Sequence, residues 1–176
     1  SKVIHRLCSA GHLAYLVGGG VRDILLNRDP KDFDVATNAE PTEVKSLFRR
    51  SRIIGRRFQI VHVQFSRELI EVTTFRSNQD SDVKKPKKNT PLRQQSKSGM
   101  LTRDNVFGSV TDDAERRDLT VNALYYDPVE GILLDYVGGF EDLNAGILRM
   151  IGKPVRRFQE DPVRLLRAVR FASRLG

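Results

Sequence analysis

The sequence has one cysteine, Cys8, no tryptophan, and aromatic residues at only 7%. A single thiol forms neither an internal disulfide nor a cysteine-based zinc cluster, so a reducing compartment is the expected setting and Cys8 is expected to be a small core residue. Sparse aromatics argue against the base stacking that single-strand-binding proteins advertise. No apolar run approaches the roughly eighteen residues a membrane helix needs, and the first residues have no signal-peptide character. Neither Gly-x-x-x-x-Gly-Lys-Ser/Thr nor Gly-x-Gly-x-x-Gly with its acidic follow-up occurs, which disfavours a P-loop nucleotidase and a dinucleotide-binding dehydrogenase. The chain opens without Met and stops at Arg-Leu-Gly, as expected of an excised fragment.

What is present is positive charge. Thirty Lys and Arg against 22 Asp and Glu give a net charge of +8 and a pI near 9.9. Such a balance points to a polyanionic partner, nucleic acid first, with phosphate contacts carrying the affinity. The 39% hydrophobic content in 176 residues is enough for a core, in one domain or one domain and part of another.

Periodicity then orders the chain. Val3, Ile4, Leu7, Cys8 and Ala10 fall near helical spacing and end at Gly11, residues 13–17 read as a buried strand, and Val21 to Leu26 as a short helix. Strands are expected at 32–35, 58–65 and 69–75, and a helix over 37–48 with capping chemistry at 38–41. Residues 112–126 read as a helix entering a strand, 132–137 as a further strand, and 156–175 as the strongest helix, with Leu165, Leu166, Val169 and Ala172 on one face and Pro162 as its first helical residue. Between Ser77 and Arg103 lysines and arginines gather with Pro86 and Pro91 and few large apolar residues, so a mobile basic loop is expected there. It is either a solvated insertion or a phosphate-attracting flap.

The chemistry concentrates in residues 16–35. Gly18, Gly19 and Gly20 close an apolar run and permit close backbone approach to an anion, and Arg22 can add a charge-assisted contact. About a dozen residues later Asp32 and Asp34 alternate so that, on a strand, both project from one face. Two like charges on one face call for a cation or a hydrogen-bond donor, and paired carboxylates suit hard, oxygen-seeking ions such as Mg²⁺. Phosphoryl and nucleotidyl transfer need that charge neutralisation and in-line geometry more than covalent help. Glu71 stands in an otherwise apolar strand, where a place on the solvated face would also explain it.

Four stretches together resemble the class II nucleotidyltransferases of the polymerase β superfamily, the bacterial poly(A) polymerases and CCA-adding enzymes. They are Leu-Val-Gly-Gly-Gly-Val-Arg-Asp (16–23), Asp-Phe-Asp-Val (32–35), Arg-Arg-Asp-Leu-Thr-Val-Asn-Ala (116–123) and Glu-Asp-Pro-Val-Arg-Leu-Leu-Arg-Ala-Val-Arg-Phe (160–171). The resemblance implies an α+β fold: a nucleotidyltransferase head of mixed sheet and flanking helices over residues 1–153, with the basic loop near 77–103, followed by the start of a helical neck at 154–176, body and tail being absent. It makes Asp32 and Asp34 the carboxylates for two Mg²⁺ ions and Gly19, Gly20, Arg22 and Asp23 the triphosphate element. Arg117 and Asn122 fall in the sugar region. The third carboxylate is Asp118 by preference, a structural ion pair with Arg116 or Arg117 being its other reading, and Glu71 is the alternative. Asp161 and Arg164 become a protein template for the base edge, with Arg167 near phosphate; otherwise Asp161 is a helix cap and the arginines a solvated face.

Residues 53–63 and 100–108 are similar to the poly(A) polymerase side of the family. The implied activity is therefore template-independent addition of AMP from ATP to RNA 3′ ends, in a bacterial cytoplasm, with CCA addition to tRNA as the alternative. A non-catalytic RNA-binding module on the same fold is the reading from another class. Leu119, where the family more often has Phe, and the Lys-rich stretch are the departures. Nothing in the pattern specifies an oligomeric state.

Overall fold

The computed structural model describes residues 2–56, 58–65, 68–77, 93–95, 101–104 and 106–175, with 93–95 and 101–104 described by their backbone alone. The first helix forms as α1 (Lys2–Ser9), burying Val3, Ile4 and Leu7 on one face and stopping at Gly11, whose φ of +86° suits glycine. Next come β1 (Ala14–Val17), α2 (Gly19–Leu25), β2 (Asp34–Thr37) and α3 (Pro41–Leu47). The cap of α3 is Glu40 in a reciprocal box with Glu43, whose Oε2 accepts from the Glu40 N–H at 2.7 Å, and Pro41 sits in the first turn. Then follow β3 (Ser51–Ile54), β4 (Ile60–Phe65) and β5 (Glu68–Thr74).

Most of the basic stretch at 77–103, with its expected mobility, lies outside the described residues. Within it β6 (Arg93–Gln95) pairs antiparallel with β7 (Leu101–Asp104) as a two-stranded ribbon. The chain continues through α4 (Val110–Arg116), a 3₁₀ turn (Thr120–Asn122), β8 (Leu124–Asp127), β9 (Ile132–Asp135), α5 (Gly139–Asn144), α6 (Pro154–Glu160) and α7 (Val163–Leu175).

Seven strands form one sheet in the order β3-β4-β5-β2-β1-β8-β9. β2 and β5 run parallel and the other neighbours antiparallel, so the sheet is mixed, as expected. Alternation assigns its two faces. Val35, Val61, Val63, Ile70 and Val72 pack on one side with Val3, Ile4 and Leu7 of α1 and Val44 of α3. Each such fully buried aliphatic side chain stabilises by about 1.5–3 kcal/mol. On the other side Val17, Ala36, Phe75 and Tyr125 meet Ala114 of α4. A third cluster joins Val21, Leu119, Val121, Leu124 and Leu143 to Phe171 of α7.

Two expectations change. The strand begins at Asp34, so Asp32 and Phe33 lie on the segment leading into it, which passes so close to α2 that a Cβ on Gly20 would come within 2.9 Å of the Asp32 carbonyl. The closing helix is two: α6 ends at Glu160 with Asp161 as its cap position, and α7 starts just after Pro162. Leu165, Leu166 and Val169 of α7 are 52%, 70% and 63% exposed, because its arginine face, not its leucine face, turns to the carboxylate-bearing pocket described next. Among the described residues no helix is long and apolar enough to cross a membrane.

Candidate active site

β1 runs straight into the glycine turn. Gly18 has φ +75°, a conformation that favours glycine, and its α-carbon lies so near the site that an added Cβ would stand 3.8 Å from both Asp34 Oδ2 and Arg117 Nη1. α2 opens at Gly19, leaving its first backbone N–H groups without intrahelical acceptors at the rim of a pocket of about 400 Å³.

Asp32 is exposed and Asp34 half-buried, and both line this pocket. The Asp34 carboxyl is raised above the usual range, first by burial and next by the charge of Glu71, with Arg117 and Arg167 pulling the other way. Glu71 stands directly across from Asp34 in the parallel β2–β5 register, and its Oε1 lies 3.2 Å from His62 Nε2. It does not line the pocket. Asp118 does, but it is buried and already engaged: Oδ1 accepts the Leu119 N–H at 2.8 Å and Oδ2 is 2.7 Å from Arg167 Nε. The cation seen beside Asp118 is Arg167. Among the described residues no group of three or more His, Cys, Asp or Glu is arranged to hold a metal ion. Asp32 and Asp34 therefore offer a two-carboxylate site that a hard cation would complete with phosphate oxygens and water.

Arg117 is fixed from behind. It donates to Asp113 Oδ2 through Nη2 at 3.0 Å and to the Tyr125 hydroxyl through Nε at 2.8 Å, while that hydroxyl donates to Asp113 at 2.6 Å. Burial alone would raise the Asp113 carboxyl, but the Arg117 charge and the bonds from Tyr125 and the Arg76 N–H outweigh it and hold it below the usual range. Burial foremost pushes the Tyr125 phenol up.

Arg22 is a surprise of burial. It is 1% exposed; Nε and Nη2 donate to Asp23 Oδ1 at 3.0 and 2.7 Å, Nη1 donates to Asn122 Oδ1 at 2.6 Å, and its guanidinium lies 4.9 Å from the Phe171 ring centre. Asp23 Oδ2 in turn accepts from Arg174 Nη2 at 2.8 Å. The expected phosphate ligand is also the strut joining the glycine turn, the 3₁₀ turn and α7. That turn is held by Thr120 Oγ1, which donates to Asp142 at 2.7 Å, and the buried Asn122 Nδ2 has no hydrogen-bond partner among the described residues. A buried amide donor left open at a pocket wall is a place for a ligand acceptor.

α6 and α7 supply the opposite wall. Buried Arg157 donates to the carbonyls of Arg116 and Arg117 and to Glu160 at 3.1 Å. Burial, then the charge of Arg164, pushes its guanidinium down to about 10. Glu160 also meets Arg156 at 3.1 Å and Arg164 at 3.3 Å. Asp161 is the C-terminal cap position of α6, and its carbonyl accepts the Arg164 N–H. Asp161, Arg164 and Arg167 all reach the pocket, as do Gly19, Gly20, Arg22, Asp23, Arg117 and Asn122. Four lining residues escaped the sequence reading: Lys31, Arg170, Phe171 and Arg174. The 164, 167, 170, 174 spacing of arginines on one helix was a signal for two of them.

A model of the poly(A) polymerase head domain matches residues 14–149. The chain belongs to that family. It is 54% identical over 175 residues, 99% of its length, to poly(A) polymerase I of Escherichia coli O6:H1, and spans 37% of that protein. It is 41% identical over 174 residues, again 99% of its length, to a CCA-adding enzyme of Bacillus velezensis, of which it spans 40%. Among solved structures it superposes on the Bacillus stearothermophilus CCA-adding enzyme in complex with CTP with a TM-score of 0.78 at 35% identity, covering 98% of this chain and 38% of that one. The mixed sheet with its helices is thus the polymerase β-like nucleotidyltransferase head expected from the motifs.

Proposed function

We propose that the protein transfers AMP from ATP to the 3′ end of RNA without a template. The observation that carries this reading is one pocket of about 400 Å³ in which the Asp32/Asp34 pair faces Arg117 and the arginines of α7. The RNA 3′ oxygen bonds the α-phosphorus of ATP as the bond to pyrophosphate breaks, and the hydroxyl proton passes to water. Asp32 and Asp34 would hold Mg²⁺, two ions in this reading, whose charge would offset the desolvation and the Glu71 repulsion that Asp34 bears and would supply charge stabilisation to the attacking and leaving oxygens. Gly19, Gly20 and Arg22, backed by Asp23, shape the triphosphate seat. Asn122 Nδ2 donates to the nucleotide, the sugar being its nearest match in role.

Asp161 and Arg164 read the base edge, the carboxylate accepting from an exocyclic amine and the guanidinium donating to a ring acceptor. Glu160 steadies Arg164 for that task, and Arg167 contributes charge near phosphate. Asp118, which lines the pocket and also meets Arg167, takes the third-carboxylate role, with Glu71, across from Asp34 in register but outside the pocket lining, as the alternative. Residues 1–153 form the head and 154–176 open a helical neck, in a protein of the bacterial cytoplasm acting in mRNA processing.

The full chain incubated with ATP, Mg²⁺ and a generic RNA should grow long adenylate tails, and Asp32→Ala or Asp34→Ala should abolish growth while RNA binding persists. Retained activity in both variants would sink the assignment and leave a non-catalytic module. The second reading, CCA addition, draws on the CTP-bound structural neighbour; addition that stops after C, C and A, and only on a tRNA lacking them, would establish it instead.

A further inference from the structure

A second charged groove lies outside the pocket. Arg49, Arg50 and Arg52 are exposed at the β3 edge and, with His62 and Gln64, line a groove of about 420 Å³. None of the three arginines has a carboxylate partner among the described residues. Three adjacent uncompensated guanidinium groups repel one another, and an anion resolves that repulsion.

Strand register ties this groove to the acids. Arg52 pairs with His62, His62 with Glu71, and Glu71 with Asp34, each directly across from the next. Paired residues share a face, and Val61, Val63, Val72 and Val35, one position away, fill the helix-covered core on the other side. Arg52, His62, Glu71 and Asp34 therefore form one row on one face. At roughly 4.8 Å per strand spacing, the groove begins at His62, about 10 Å from the catalytic carboxylate, and reaches Arg52 about 14 Å from it.

We propose that the Arg49–Arg50–Arg52 groove holds the phosphodiester backbone of the RNA strand whose 3′ end is extended. The inference rests on the nucleotidyl-transfer reading of the pocket. In-line displacement requires the attacking oxygen and the departing pyrophosphate on opposite sides of the α-phosphorus. The glycine turn follows β1, and Asn122 precedes β8, so the triphosphate seat lies on the β1–β8 side of Asp34. The acceptor strand then arrives over β5, β4 and β3, the direction in which the groove lies. Among the described residues Leu69 is its one apolar lining residue and no Phe, Tyr or Trp lines it, and the His62 ring is held by Glu71, so the three arginines make it a phosphate site first.

The test is the triple substitution Arg49→Gln, Arg50→Gln and Arg52→Gln in the full chain, with the three Arg→Lys changes as the charge-preserving control. Exposed side chains are altered, and an unchanged melting temperature checks folding. Binding of a single-stranded oligoadenylate, read by fluorescence anisotropy across a salt series without ATP, should weaken roughly tenfold, and the slope of log affinity against log salt should fall by about 2, since each lost phosphate contact on a single strand removes about 0.7. The lysine control should retain the slope. In the transfer assay KM for RNA should rise with KM for ATP unchanged. Unchanged RNA affinity and slope would overturn the proposal, and so would a rise in KM for ATP alone, which would mark the groove as a triphosphate site. Because the binding arm needs no turnover, wild-type chain that binds RNA through these arginines yet transfers no AMP would refute the functional reading and leave the groove standing.

Discussion

Tyr125→Phe isolates the support behind Arg117. The ring is fully buried and packs edge-on against Tyr15 and Tyr136 with centroids at 6.5 and 6.3 Å, so Phe fills the same volume and opens no cavity. What disappears is one hydroxyl that donates to Asp113 at 2.6 Å and accepts from Arg117 at 2.8 Å. A hydrogen bond to a charged group contributes about 1.5–3 kcal/mol. Asp113 keeps the Arg76 N–H and Arg117, so the middle of that range, about 2 kcal/mol, is expected; at roughly 2–4 °C per kcal/mol for a chain of this size, the melting temperature should fall by about 4–8 °C. The sign with pH follows from the lowered Asp113 carboxyl. Its stabilisation is fully present above the unfolded-state pKa of about 3.9 and is lost as pH falls through the lower folded value. The gap between variant and wild type, measured by calorimetry, should therefore stand at neutral pH and narrow on acidification below about pH 4. A shift under about 1 °C at neutral pH would refute the claim that this hydroxyl holds the charged pair.

Asp34→Asn should stabilise the Mg²⁺-free protein at neutral pH, on the scale of about 0.5–2 kcal/mol seen when a functional strain is relieved, while abolishing transfer. The folded-state carboxyl is raised, so its charge is a cost that persists above the folded value and vanishes as pH falls through it; thermal melts that show a loss of stability instead would contradict the burial argument. Glu71→Gln removes the second-largest contribution to that rise and should move the acidic limb of the binding of Mg²⁺, followed by calorimetry, to lower pH; an unmoved limb would detach Glu71 from the site. Arg157→Met leaves Glu160 short of a cation and the Arg116 and Arg117 carbonyls short of a donor. Glu160 keeps Arg156 and Arg164, so a loss of about 1–3 kcal/mol in denaturant unfolding is expected, the cost of leaving buried acceptors unmet, and a loss below about 0.5 kcal/mol would show the strut to be dispensable.

The helices and strands were legible wherever a period was clean. The alternation of residues 58–65 and the stripe of Val3, Ile4 and Leu7 each gave an element within a residue or two of its observed bounds. The joint pocket was legible because four motifs recurred in family order, although no local rule joins residue 34 to residue 164. What sequence could not show was direction. Arg22 looks like an outward phosphate ligand until Asn122, 100 residues on, is seen to accept from it. Glu71 gains meaning only from the register that sets it opposite Asp34. α7 offers two faces, and which one turns inward depends on the carboxylates of other elements.

The bond from Arg174 to Asp23 spans 151 residues. Contacts so distant in sequence close late, because the loop between them must first be ordered. A ribosome releasing residues in order would expose the glycine turn and the acid pair well before the arginine that braces them exists. The pocket wall made by α7 is thus a last-assembled part, and a nascent chain carries its acid pair without the arginines of α7 until nearly all of residues 1–175 have emerged.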